Sequence, residues 1–440
     1  METKNALVRS AFSLVRAAIL LTLLAACSSS YGASLVFCDE IAKAPVVAAS
    51  AESSTLVFED PGTIKVLHGS GCAHLDKNKG IWLKVEQSID IPAYATKAAV
   101  FLNGWKLKYS GGDHHVEALA TAIGKIKVQP GNPATGLPGK LTWNAVGVLG
   151  DHGHDKAIDW CDWYTVVAWN DTNLHAFVDQ GDTEYFRKSG GTPSASDGFF
   201  FAMSAGTTTA LSWFPSFLYN SNFASGPTAA ILPRGFSFRG SDHHLLQVAH
   251  NLEYSERFVQ SWNYKKADGE LNPLPTPPVG RVEPTVVSWS TYGILKDKHT
   301  WVGYELGEFV SAMGGPDVGI IEPPFSILPR NAKGSFFGAC LEGSALVNTE
   351  ELVIDNIPYA YAIPMLTGWD LSYPCHDHHV REIGIWLDDL HYEKNPNAPT
   401  GTLRCKVSSL LHDDSGAGLD EYRHKIAILG LRPSAGAPVR

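Results

Sequence analysis

Residues 101–119, FLNGWKLKYSGGDHHVEAL, have two counterparts in the same chain. These are AILPRGFSFRGSDHHLLQV at 230–248 and PMLTGWDLSYPCHDHHVREI at 364–383. Aligned without gaps on the aspartate of the shared Asp-His-His, three apolar columns precede it. They hold Leu102, Ile231 and Leu366, then Leu107, Phe236 and Leu371, then Tyr109, Phe238 and Tyr373. Polar residues alternate with the last two columns, which predicts a strand with one buried face. After the tripeptide, Val116, Leu245 and Val380 begin a second apolar run. A short polar segment separates the two runs, so each copy reads as a hairpin with Asp-His-His beside its turn.

The similarity extends downstream. KLTWNAVGVLGD (140–151), VVSWSTYGILKD (286–297) and TLRCKVSSLLHD (402–413) each end on a second shared acid, Asp151, Asp297 or Asp413. Another apolar segment follows each. The aspartates Asp113, Asp242 and Asp377 are 129 and 135 residues apart, which suits a repeated domain better than a solenoid period. Helical periodicity is nearly absent, and Gly, Pro, Asn and Asp punctuate short apolar runs. The expectation is all-β: three tandem β-sandwich-like domains, strung as beads, at 76–175, 196–320 and 325–433. The second carries a proline-rich insertion at 266–284, expected as an extended surface loop.

The 440 residues carry a net charge of −10, and no basic cluster occurs, which argues against a nucleic-acid partner. At the N-terminus, Lys4, Arg9 and Arg16 precede the apolar run AAILLTLLAA (17–26), too short to span a bilayer comfortably. The run ends in Leu24-Ala25-Ala26-Cys27-Ser28, which resembles the lipobox of bacterial lipoproteins. That resemblance covers residues 1–27 only. It implies export, lipidation of Cys27 and attachment to a membrane in the cell envelope, outer-membrane, periplasmic or surface-exposed. Residues 28–75 then read as a tether with one or two edge strands. Of seven cysteines, six remain beyond Cys27, an even number that fits an oxidising compartment. The expected pairs are Cys375 with Cys405 and Cys38 with Cys72. The column of Trp143, Trp289 and Cys405 reads as core. Trp105 and Trp369 share the parity of core positions, and the second copy has Arg234 in that column.

Three chemistries compete. In extended backbone, residues two apart share a face, so Asp113 and His115 would point together, as would Asp242 with His244 and Asp377 with His379. A carboxylate and an imidazole can ligate a divalent metal, with further ligands from Asp151, His152 and His154 in the first copy. The plain alternative is a turn in which the aspartate caps backbone N–H groups. A phosphoesterase family is named for this tripeptide, but it uses it in α/β domains beside other Asp motifs, and the β context here rejects it. Aromatic platforms are the third possibility: Trp160, Trp163, Tyr164 and Trp213 are candidates for stacking on sugars. The leading expectation is a surface binding or adhesion protein with three comparable sites, glycans being the candidate ligand, made multivalent by repetition. The alternative is a metal-dependent hydrolase using an Asp/His cluster in the first copy. No nucleophile elbow, zinc-protease helix or phosphate loop occurs.

Overall fold

The computed structural model describes residues 46–49, 51–171, 174–176, 202–207, 228–254, 288–297, 304–315, 318–321, 326–327, 347–373, 377–398, 400–416, 419 and 421–433. Secondary structure there is strand and turn. In chain order the strands are β1 (Ala51–Asp60), β2 (Ile64–Leu75), β3 (Trp82–Ile91), β4 (Lys97–Tyr109), β5 (Val116–Gln129), β6 (Gly139–Gly150) and β7 (Ile158–Trp169). There follow β8 (His175–Ala176), β9 (Ala202–Thr207), β10 (Thr228–His243), β11 (Gln247–Tyr254), β12 (Ser288–Lys296), β13 (Tyr304–Gly315), β14 (Val318–Ile321) and β15 (Ser326–Ile327). The last are β16 (Asn348–Ile357), β17 (Tyr359–Ser372), β18 (Glu382–Lys394), β19 (Gly401–His412) and β20 (Glu421–Pro433). The all-β expectation holds.

The arrangement of the repeats differs from beads on a string. The three antiparallel sheets run β1-β2-β7-β4-β18-β19-β16, β3-β6-β5-β10-β13-β8 and β14-β20-β17-β11-β12-β9, with β15 beside β20. In every copy the strand before Asp-His-His (β4, β10, β17) pairs with the last strand of its own copy (β7, β13, β20). Its other edge pairs with a different copy: β4 with β18, β10 with β5, β17 with β11. So the runs flanking Asp-His-His do not form the expected hairpin. They enter two different sheets, and the tripeptide is the corner between them. The exchange is cyclic, first copy to third, second to first, third to second.

One hydrophobic core serves all three copies and contains Trp105, Phe236 and Trp369 together. Their rings meet at 5.1, 5.1 and 5.0 Å, edge-on or tilted, the geometry aromatic quadrupoles favour. Phe236 therefore stands where Trp105 and Trp369 stand, two residues nearer its aspartate in sequence than they are to theirs. Allowing that slip, Gly-Trp-Lys-Leu (104–107), Gly-Phe-Ser-Phe (235–238) and Gly-Trp-Asp-Leu (368–371) coincide. Just before each, the register shifts at a β-bulge, between Leu102 and Gly104, Pro233 and Gly235, and Leu366 and Gly368. Arg234, fully buried, falls within the second bulge as Asn103 and Thr367 fall within the others. The glycines allow close approach of the exchanged strand: a Cβ would strike Trp386 at Gly104, Ala122 at Gly235 and Asn251 at Gly368.

The cysteines pair otherwise than expected. Cys72 bonds Cys161, its opposite number across β2 and β7. Cys405 is a free, buried thiol, consistent with its place in the core column beside buried Trp143. Neither the Cys38–Cys72 nor the Cys375–Cys405 pair is formed; Cys38 and Cys375 lie outside the described residues, as do Cys27, the 266–284 insertion and the side chain of Trp289.

Candidate metal centre

The corners made by Asp-His-His meet one another. Main-chain bridges tie the first histidine of one copy to the residue after the tripeptide in the next: His114 with Val380, His243 with Val116, His378 with Leu245. These bonds are 2.8–3.0 Å where His114 and Val380 exchange N–H and carbonyl, and 2.8–2.9 Å between Leu245 and His378. The cyclic bridging turns the second histidines toward one place. The rings of His115, His244 and His379 meet at 4.5, 4.7 and 4.5 Å. One ligand atom from each lies within 4.8 Å of the others, the one such group of three or more His, Cys, Asp or Glu among the described residues.

Carboxylates from another copy back these rings. Asp377 Oδ2 is 3.5 Å from His244 Nδ1, and Asp113 Oδ1 is 3.6 Å from His379 Nδ1. A carboxylate only accepts, so this placement favours the Nδ1–H tautomer and leaves Nε2 as the ligating nitrogen. Asp113 also accepts from the backbone N–H of Asp414 (3.3 Å). The side chain of Asp242, the third member by pattern, is not among those described. Below the rings, Tyr109 and Tyr373 donate their hydroxyls to the carbonyls of His115 and His379, both at 3.0 Å. In the second copy Gly240 takes that place.

The first histidine of each tripeptide turns the other way, to the second shared acid. His114 Nδ1 lies 3.5 Å from Asp151, His243 Nδ1 3.3 Å from Asp297, and His378 Nδ1 2.9 Å from Asp413. All three of these acids are buried. Asp151 and Asp413 also hold the loops behind them, accepting from the N–H of His154 (3.1 Å) and of Ser415 (2.9 Å). Turn capping therefore belongs to the second acid. Burial is the main force holding His114 below the ordinary imidazole pKa, with Lys156 adding to it. Burial, then the neighbouring His379 and His115 rings, lowers His244 in the same way. Neutral imidazole is the form that binds metal.

Of the nine expected ligands, three converge: His115, His244 and His379. Asp113 and Asp377 stand behind the rings, and Asp113 faces the histidine of another copy instead of its own His115. Asp151 serves His114, while His152 and His154 turn to Glu117, at 3.8 and 3.2 Å. The first-copy Asp/His cluster is thus not assembled around His115. Of the aromatic platforms, Trp160 and Tyr164 are buried. Tyr164 packs on Trp143 (4.8 Å), because the odd-even parity of β7 turns both inward. Trp163, on the opposite face, is half-buried; Trp213 lies outside the described residues. The cyclic convergence could have been suspected from three like tripeptides at near-equal spacing, since three ligands fit one tetrahedral ion.

Compared with known protein families, characterised proteins and solved structures, the chain has no match.

Proposed function

We propose that this chain is an exported, envelope-anchored metal-binding protein whose three repeats jointly build one three-histidine centre for a divalent transition metal, zinc before others. The observation that carries this is the meeting of His115, His244 and His379 within 4.8 Å, drawn from three separate copies. A tetrahedral zinc ion with Zn–N of about 2.0–2.1 Å needs nitrogens about 3.3–3.4 Å apart. From within 4.8 Å, the rings have to close by up to about 1.5 Å to reach that spacing. An all-imidazole set selects zinc, copper, nickel or cobalt over calcium or magnesium, and carboxylates behind the rings are the usual support of such ligands. Repetition on this reading yields one centre per chain instead of three equal sites.

The test is the metal content of residues 28–440 purified without chelator, with zinc titration of the stripped protein. One equivalent per chain is expected, with a melting temperature that falls in EDTA and tight binding lost in His379→Ala. Zinc-independent melting and no binding would reduce Asp-His-His to a packing corner. Anchoring is tested separately: labelled fatty acid should enter the wild type and not Cys27→Ser.

A second reading, glycan binding, rests on Trp163. Its ring stacks on Trp386 at 4.7 Å and 15°, and both indole N–H groups donate to Asp388, at 3.1 and 2.8 Å. The pair flanks Gly104 in neighbouring strands. The same places around Gly235 and Gly368 hold Ala122 with Phe309 and Asn251 with Lys425. The fold itself does not require aromatics there, and stacked indoles suit sugar faces. Calorimetry against neutral and amino-sugar oligosaccharides decides it: binding lost in Trp163→Ala supports the reading, and no heat with any of them removes it.

A further inference from the structure

We infer that the ion held by His115, His244 and His379 keeps one coordination position open to solvent and takes a small uncharged oxygen or nitrogen donor there. This rests on the metal-centre reading above. Structural zinc sites are closed by four protein ligands, whereas sites that bind small ligands hold three and leave the fourth to water. Among the described residues no fourth ligand joins the three histidines. The nearest acids are engaged elsewhere, Asp113 with His379 and the Asp414 N–H, Asp377 with His244. His114, His243 and His378 are turned to Asp151, Asp297 and Asp413. The cluster is also open: the His244 and His379 side chains are 41% and 40% exposed.

The surroundings decide the charge of the incoming ligand. Asp113 and Asp377, from the first and third copies, stand against the rings, with Asp414 exposed beside Asp113, against the nearby cations Lys156 and Arg381. Lys156 is already shared between Asp151 and Asp155, and Arg381 faces Asp414. The Asp113 and Asp377 carboxylates offset the two positive charges of the ion, so the loaded centre has little net pull on an anion. It therefore favours water, imidazole-like or carbonyl donors over phosphate esters.

The experiment uses the cobalt(II)-loaded mature chain, residues 28–440, and follows its visible ligand-field bands while imidazole or azide is added. Desalting and metal analysis check that cobalt stays bound. A saturable band change with imidazole and none with azide over the same concentrations is the expected result. Silence to both probes, with cobalt retained, means that the protein fills every position and overturns the inference while leaving the metal centre standing. A response to azide without one to imidazole overturns the assignment of an uncharged ligand. Failure to bind cobalt at all removes the underlying reading instead.

Discussion

Asp113 and Asp377 each support a histidine from another copy, at 3.6 and 3.5 Å. Losing the carboxylate frees the ring to rotate and weakens the ligand. Asp113→Asn and Asp377→Asn should each lower zinc affinity about 10- to 100-fold with little change in the melting temperature of the metal-free protein, read by competition with a chromophoric chelator. Two histidines elsewhere govern acid stability. Burial lowers His68 to about 4, opposed by its bond to the Leu387 carbonyl; burial lowers His424 to about 4 as well. The unfolded chain titrates near 6.5, so between pH 6.5 and 4 it binds more protons than the folded one, and stability falls as pH falls. Each histidine contributes about 3 kcal/mol that is present above pH 6.5 and lost by pH 4. Urea midpoints across that range, for wild type and His424→Leu, measure it; the variant should show the shallower decline. The residue types of the centre were legible in the sequence. Their partners were not, because Asp113 and His379 are 266 positions apart and only strand exchange brings them together.

The bulge is the element that matters most. Asn103 sits in the bulge of β4 and is fully buried. Its amide donates to Thr165 Oγ1 and the Pro364 carbonyl, and its oxygen accepts from the Leu366 N–H, at 2.7, 2.9 and 3.0 Å. One side chain thus ties the first sheet to the third. Asn103→Ala should cost about 2–4 kcal/mol, since it strands several buried groups at once, as chemical denaturation would measure. The Cys72–Cys161 bond closes 89 residues of chain; its loss in Cys72→Ser/Cys161→Ser should cost about 4–5 kcal/mol on the chain-entropy account. Strand existence was readable from alternation. Pairing was not: a strand's two edges look alike in sequence, and nothing local says whether the neighbour is the next run or one from another copy.

At the scale of the molecule, every sheet takes strands from two copies. A repeat cut out alone has unpaired edges on both β4 and β5 and loses the aromatic partners of Trp105. The fragment 76–175 should therefore lack a cooperative thermal transition, while residues 28–440 melt in one step with coincident near- and far-UV signals. A fragment that melts cooperatively by itself would restore independent domains.

The sequence by itself determined the β character, the threefold repetition, the core columns of the first and third copies and the residue types able to bind metal. Each is carried by local alternation and composition, which need no knowledge of the partner. Tertiary structure alone decided that the repeats interlock, that Phe236 replaces a tryptophan, that Cys72 joins Cys161, and that three distant histidines meet. Those outcomes depend on which strand edge meets which, and that is set by how one common core is buried, not by any single segment.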